Sequence, residues 1–89
     1  MVTVEKQMTV GVDFNNRNVN TIIDTLSKDA SSSVYISKDN SRQVAMKSLI
    51  GLLSGGFKAG DEVRLTVIGD HEDIVKRDLG LAEELLKGE

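Results

Sequence analysis

The chain contains no cysteine, which excludes a disulfide framework and any thiolate metal site. It also lacks the roughly 20-residue apolar run that a membrane-spanning helix requires. No basic segment followed by an apolar one opens it, so the expectation is a cytoplasmic protein with no membrane partner. Aromatic side chains are scarce: two phenylalanines and one tyrosine in 89 residues. The net charge is −3 and the lysines and arginines are scattered. Nucleic-acid binding normally uses a basic stripe interleaved with stacking rings, and neither is present. The one histidine, His71, has no metal constellation around it and reads as a solvated residue opening the last helix. The expectation is therefore no metal and no cofactor.

Other catalytic signatures are missing as well. Asp61-Glu62 and Glu83-Glu84 are adjacent carboxylate pairs. Neighbouring positions point in different directions on a strand or helix, so neither pair converges as hydrolysis would need. "KDNS" at residues 38–41 is not a complete calcium loop. Gly55-Gly56 is not followed by the Lys-Ser/Thr of a phosphate-binding loop. The chain does not read as an enzyme.

What is present is a compact alternation of strand and helix patterns within one domain, residues 1–89. "MTVGV" (residues 8–12) has the period of two that marks a half-buried strand, and Val2 and Val4 extend its parity toward the N-terminus. "DFNNRNVN" then reads as a polar loop entering a helix, because asparagine bonds its own backbone and tolerates turn geometry. Val19, Ile22, Ile23 and Leu26 fall at helical spacing, with Asn20, Asp24 and Ser27 on the other face. "SSSVYISKDNSRQVAM" reads as a hairpin turning at "KDNS". In "DEVRLTVIG", Val63, Leu65 and Val67 face one way and Arg64 and Thr66 the other. A last helix runs from about His71 to Lys87, with Asp70 expected as its N-cap. Its expected buried stripe is Ile74, Val75, Leu79, Ala82, Leu85 and Leu86. Gly80 within it has no evident reason.

The order β-α-β-β-α-β-α places four alternating strands in a sheet that needs one face covered. Helices gathered on that face give an α+β two-layer sandwich. The two longer helices suffice for the cover, which leaves the middle one at an edge. That middle helix lies in "QVAMKSLIGLLSGGFKAG", residues 43–60. Ser48 sits where an N-cap belongs and Gly55-Gly56 supplies the stop. Leu49, Ile50, Leu52 and Leu53 cover more than one stripe of so short a helix. Either all four are core, or Leu49 and Leu52 turn inward while Ile50 and Leu53 form an exposed patch of the kind that marks a partner site.

"VAMKSLIGLLSGGFKAGDEV" resembles the stretch around the regulatory serine and second helix of HPr, the small phosphocarrier of the bacterial sugar phosphotransferase system. The Lys47-Ser48 pair, Gly51 between apolar pairs, Ser54 and the Gly60 turn into the last strand fall in that family's register. The closing "GDHED" before a long helix agrees. The resemblance is strong over residues 44–69 and weak before residue 33. It implies the HPr fold, an open-faced β-sandwich with a four-stranded antiparallel sheet and three helices in the order βαββαβα.

HPr phosphocarriers hold their phosphate-accepting histidine in a Gly-(Ile/Leu)-His-Ala-Arg-Pro loop after the first strand. The matching loop here is "VDFNNRNVN". Asn15 takes the place of the histidine, Arg17 keeps the arginine and with it an anion contact, and Asn18 replaces proline. An amide is not a usable nucleophile for reversible phosphoryl transfer, whereas a neutral imidazole is. The resemblance therefore implies a family member without histidine phosphocarrier activity, like the family's histidine-lacking relative in catabolite repression. Ser48 would be a regulatory phosphorylation site. Lys47, Ile50, Leu53 and Phe57 would form the partner patch. HPr kinase and a transcription regulator of carbon catabolite repression would be the protein partners, and the chain itself a monomer or weak homodimer. The competing expectation is a phosphotransferase component with a non-standard acceptor, Asp13 or His71.

Overall fold

The computed structural model of the chain describes residues 1–38 and 42–88. Strand β1 spans Val2–Thr9, helix α1 Asn16–Asp29, β2 Ser33–Ser37, β3 Val44–Ala45, α2 Leu49–Ser54, β4 Glu62–Gly69 and α3 Glu72–Lys87. The strands form one antiparallel sheet in the order β1-β4-β2-β3, and the fold is the expected α+β arrangement. The middle of the "KDNS" turn, residues 39–41, lies outside the described residues.

Alternation along the strands sets the core. Val63, Leu65 and Val67 of β4 and Val34 and Ile36 of β2 are buried on one face. Val19, Ile22 and Leu26 of α1 and Val75, Leu79, Ala82 and Leu86 of α3 join them in one apolar cluster. Helix α3 lies across β1, β4 and β2, while α1 packs between α3 and α2. The opposite face is polar, although Thr66 there is also buried and accepts a hydrogen bond from Gln43 Nε2 at 3.2 Å.

Several boundaries differ from the sequence expectation. Strand β1 ends at Thr9, where its partner β4 begins at Glu62. Val10 still donates to the Asp61 carbonyl, but Gly11 N–H turns away to the Leu86 carbonyl at the end of α3. The 8–12 pattern therefore runs three residues past the ladder. Helix α1 begins at Asn16, so most of the asparagine-rich segment is helix rather than loop. The residue flanking α3 is His71, not Asp70, because the helix's first bond runs from Val75 N–H to the His71 carbonyl. In the α3 stripe, Ile74 and Leu85 are only half-buried. Nothing lies within 4 Å of a methyl group built on Gly80, and no contact explains that residue.

Asp78 is the residue the apolar pattern concealed. It sits in the buried stripe of α3 with no exposed surface. One carboxylate oxygen accepts from the backbone N–H of Ser31 at 3.0 Å and of Ser32 at 2.8 Å. The other accepts from Arg77 Nε and Nη2, and the same Nη2 donates to the Asp29 carbonyl. Burial alone would raise this carboxyl. The Ser32 side chain and amide, the Arg77 guanidinium and the Ser31 amide outweigh it, and the group is held below 3.8, the usual aspartate value. Asp78 thus fastens α3 to the turn between α1 and β2.

Candidate functional site

Two helix starts carry the residues singled out in the sequence, and the loop at 55–61 ties the end of the second helix to the start of the first. At the first, Asn15 has extended backbone (φ −94°, ψ 173°) and caps α1, its side chain accepting from Asn18 N–H at 2.9 Å. Asn18 Nδ2 donates back to the Asp13 carbonyl at 2.8 Å. Capping explains the asparagine at 15: its oxygen takes up an amide the helix cannot satisfy. Arg17 follows in the first turn, exposed, and its guanidinium makes no hydrogen bond or ion pair among the described residues.

At the second helix start, Ser48 (φ −100°, ψ 109°) caps α2 and its hydroxyl oxygen accepts from Gly51 N–H at 3.2 Å. Ser48 is half-buried and Lys47 exposed. Glycine fits at 51 without a shift, whereas a Cβ would stand 2.8 Å from the Val44 methyl of β3 and 3.0 Å from Ser48 Oγ. The helix rests on Leu52, which is fully buried. Leu49, Ile50 and Leu53 are 41%, 80% and 37% exposed.

Two placements differ from the expected patch. Leu49, expected to turn inward, is on the surface, because a single buried position suffices to anchor six residues at the edge of the layer. Phe57, expected in the patch, is in the core at 6% exposure. The chain folds back after α2 with Gly56 in the left-handed region (φ 72°), and the Phe57 ring passes under Gly55, where any side chain would collide with it.

Phe57 contributes as the link between the start of α1 and the C-terminal end of α2. Its ring lies 5.1 Å from that of Phe14, which is itself buried. Beside it, Asp13 Oδ1 accepts from Ala59 N–H at 3.0 Å. On the far side Lys38 reaches over the Phe57 ring, its Nζ 5.3 Å from the centroid. It donates to the Gly56 carbonyl at 2.6 Å and pairs with Asp61 Oδ2 at 3.1 Å. The Asp61 carboxyl is lowered from 3.8, first by Lys38 and, against a desolvation that raises it, also by the Lys58 amide it accepts from at 3.0 Å. The loop is therefore clamped from the α1 side by Asp13 and from the β2 side by Lys38. Sequence reasoning missed Phe14, Lys38 and Asp61. The one available signal was that both phenylalanines of the chain fall next to loop residues.

His71 stands elsewhere. It is exposed at the end of β4 opposite Asp61, which puts the seven steps from Glu62 to Gly69, about 23 Å, between it and the clamped loop. The structure therefore brings Asn15, Arg17 and Asp13 together, places Lys47, Ser48, Ile50 and Leu53 on the neighbouring short helix, and leaves His71 apart.

This arrangement has a counterpart among known proteins. The family model described as the PTS HPr component phosphorylation site matches residues 3–81. The chain belongs to the HPr family of the phosphotransferase system. Among solved structures it is similar to the phosphocarrier protein HPr of Bacillus anthracis, with a TM-score of 0.81 at 19% identity over 97% of this chain and 99% of that one. It is similar also to HPr-C-His of Thermoanaerobacter tengcongensis, with a TM-score of 0.67 at 30% identity over 100% and 99%. The catabolite repression protein Crh of Bacillus subtilis, a domain-swapped dimer, shares the fold with a TM-score of 0.71 at 22% identity over 100% and 94%. No curated protein sequence matches. HPr proteins are phosphocarriers that work through contacts with other proteins, and no helix among the described residues is long and apolar enough to cross a membrane.

Proposed function

We propose that this chain is an HPr-family protein that has lost histidine phosphocarrier chemistry and acts, without catalysis, as a regulatory interaction module in carbon catabolite control. The observation that carries the reading is the identity of the α1 cap. In this reading the α1 cap Asn15 stands for the phosphate-accepting ring of HPr proteins, and His71, the only histidine of the sequence, lies at the other end of β4. The amide's oxygen is committed to the Asn18 N–H, and its nitrogen has no basic lone pair with which to attack phosphorus.

The contact surface is the outer side of α2. Leu49, Ile50 and Leu53 with Lys47 form an apolar patch edged by a cation, the composition of a protein interface rather than of a solvated helix. Ser48 is its switch. Phosphorylation by HPr kinase would place about −1.5 to −2 charges at the edge of that patch. The modified face would then be read by a transcription regulator of catabolite repression. The fold likeness to Crh, named for catabolite repression, supports this role. Domain 1–89 would act in the cytoplasm as a monomer or weak homodimer.

Incubation with phosphoenolpyruvate and the first enzyme of the phosphotransferase system tests the loss of carrier chemistry. No acid-labile phosphoprotein is expected. Label on Asp13 or His71 would instead establish the competing carrier reading. With HPr kinase and ATP the mass should rise by one phosphate, and persistence of that shift in Ser48→Ala would remove Ser48 from the account. Capture of partners should be lost in the Ile50→Asp/Leu53→Asp variant.

A further inference from the structure

We infer that the groove between the N-terminal half of α1 and the C-terminal end of α3 is a binding site for a primary alkylammonium group. The groove measures about 320 Å³ and is separate from the α2 patch. Its walls are aliphatic: Val12 from the chain after β1, Ile22 from α1 and Leu85 from α3. Its side-chain polar groups offer acceptors. Asn18 donates one of its two amide hydrogens to the Asp13 carbonyl, and its Oδ1 makes no hydrogen bond among the described residues. Thr21 gives its hydroxyl hydrogen to the Arg17 carbonyl, which leaves Oγ1 as an acceptor. Glu84 brings a full negative charge and has no ion pair among the described residues, unlike its neighbour Glu83, which pairs with Lys6 at 2.9 Å.

The backbone adds to the same sign. Helix α3 ends here, with Gly88 in the left-handed region (φ 77°) lining the groove. The closing carbonyls of a helix carry the negative end of its dipole. Of these, the Leu86 carbonyl is taken by Gly11 N–H. Among the described residues no cationic side chain lines the groove. Lys87 and Arg17 flank it in sequence, and neither forms an ion pair with Glu84.

An apolar-walled groove with a carboxylate, an amide oxygen, a hydroxyl oxygen and a helix C-terminus is matched by a cation on an aliphatic stem. Three dispersed acceptors suit the three divergent donors of an ammonium. A guanidinium would need a coplanar, bidentate partner, and a single carboxylate among scattered neutral oxygens does not supply the rest of its fork. Free amines and lysine side chains carry the same chemistry.

The test is a titration of the full 15N-labelled chain, followed by amide chemical shifts, with n-butylammonium chloride, with Nα-acetyl-lysine amide, and with n-butanol and sodium chloride as controls. Saturable shifts centred on Asn18, Thr21, Ile22 and Leu85 are expected with at least one ammonium probe. They should be absent with butanol and weakened roughly tenfold in Glu84→Gln, the loss of one charge-assisted hydrogen bond. Saturation by n-butylammonium alone identifies a free amine as the ligand. Saturation by the lysine derivative alone identifies a protein lysine, and saturation by both supports an alkylammonium site open to either source. Shifts no larger than those of sodium chloride with both probes overturn the site, as does an unchanged affinity in Glu84→Gln. The variant's unperturbed spectrum elsewhere verifies its fold, since Glu84 is exposed.

Discussion

Replacing Asp78 with alanine should be among the most damaging single changes available in α3, although the residue touches neither helix start. The magnitude follows from its partners. The Ser32 amide is in a buried residue and would lose its only acceptor, costing about 1–3 kcal/mol. The Ser31 amide belongs to an exposed residue and can turn to water, so its loss is smaller, about 0.5–1 kcal/mol. The Arg77 fork is largely solvated and adds little beyond that. The sum is about 1.5–4 kcal/mol, a large share of the stability of so small a domain. At 89 residues, 3 kcal/mol corresponds to a fall in Tm of about 12–24 °C. Urea and thermal unfolding followed by circular dichroism measure it, with the exposed first-turn Asp73→Ala as a comparison expected to lose only about 0.3–1 kcal/mol. The native carboxyl titrates below 3.8, so its contribution is complete above that pH and disappears as pH falls through the lowered native value. Asp78→Ala should accordingly lose less of its remaining stability than wild type between pH 4 and pH 2. A loss under about 1 kcal/mol at pH 7, or an identical acid profile, would refute the reasoning.

The remaining predictions concern the two helix starts. Leu52→Ala should cost about 2–5 kcal/mol because the side chain is fully buried, whereas Ile50→Asp should leave the unfolding midpoint within about 0.5 kcal/mol; equal losses would mean that α2 is seated differently. Gly51→Ala gains roughly 1 kcal/mol of helix propensity but forces the Val44 methyl to move, so a net destabilisation of about 1 kcal/mol is expected by urea melt, and a stabilised variant would contradict the close approach. In Lys38→Met the Asp61 carboxyl should titrate nearer 3.8 than in wild type when followed by 13C NMR, since Lys38 is the first cause of its lowering.

How much of this was legible beforehand depends on the range of the interaction. Period-two alternation in residues 61–69 and period-3.6 spacing in residues 19–26 gave strand and helix correctly, because each records burial on one face of a single element. The Ser48 cap and the glycine stop after α2 were equally visible, since a cap reaches only three residues. The fate of Leu49 and Phe57 was not. Leu49 sits in an apolar run too short to have a dominant periodicity, and Phe57 stands alone between Gly56 and Lys58, its burial set by how the chain turns back after Gly56. Asp78 was invisible for a different reason: its partners Ser31 and Ser32 lie 47 and 46 residues away.

The sequence by itself determined the element order, the two capped helix starts and the chemical fact that an amide, not an imidazole, stands before the first helix. These are local properties, set by side-chain type and spacing along the backbone. Tertiary structure alone decided which apolar residues of α2 meet water, that Phe14 and Phe57 join the start of α1 to the end of α2, and that His71 lies a full strand length away from the clamped loop. Each of those depends on contacts between segments far apart in the chain, and pairing of that kind leaves no period in the sequence to read.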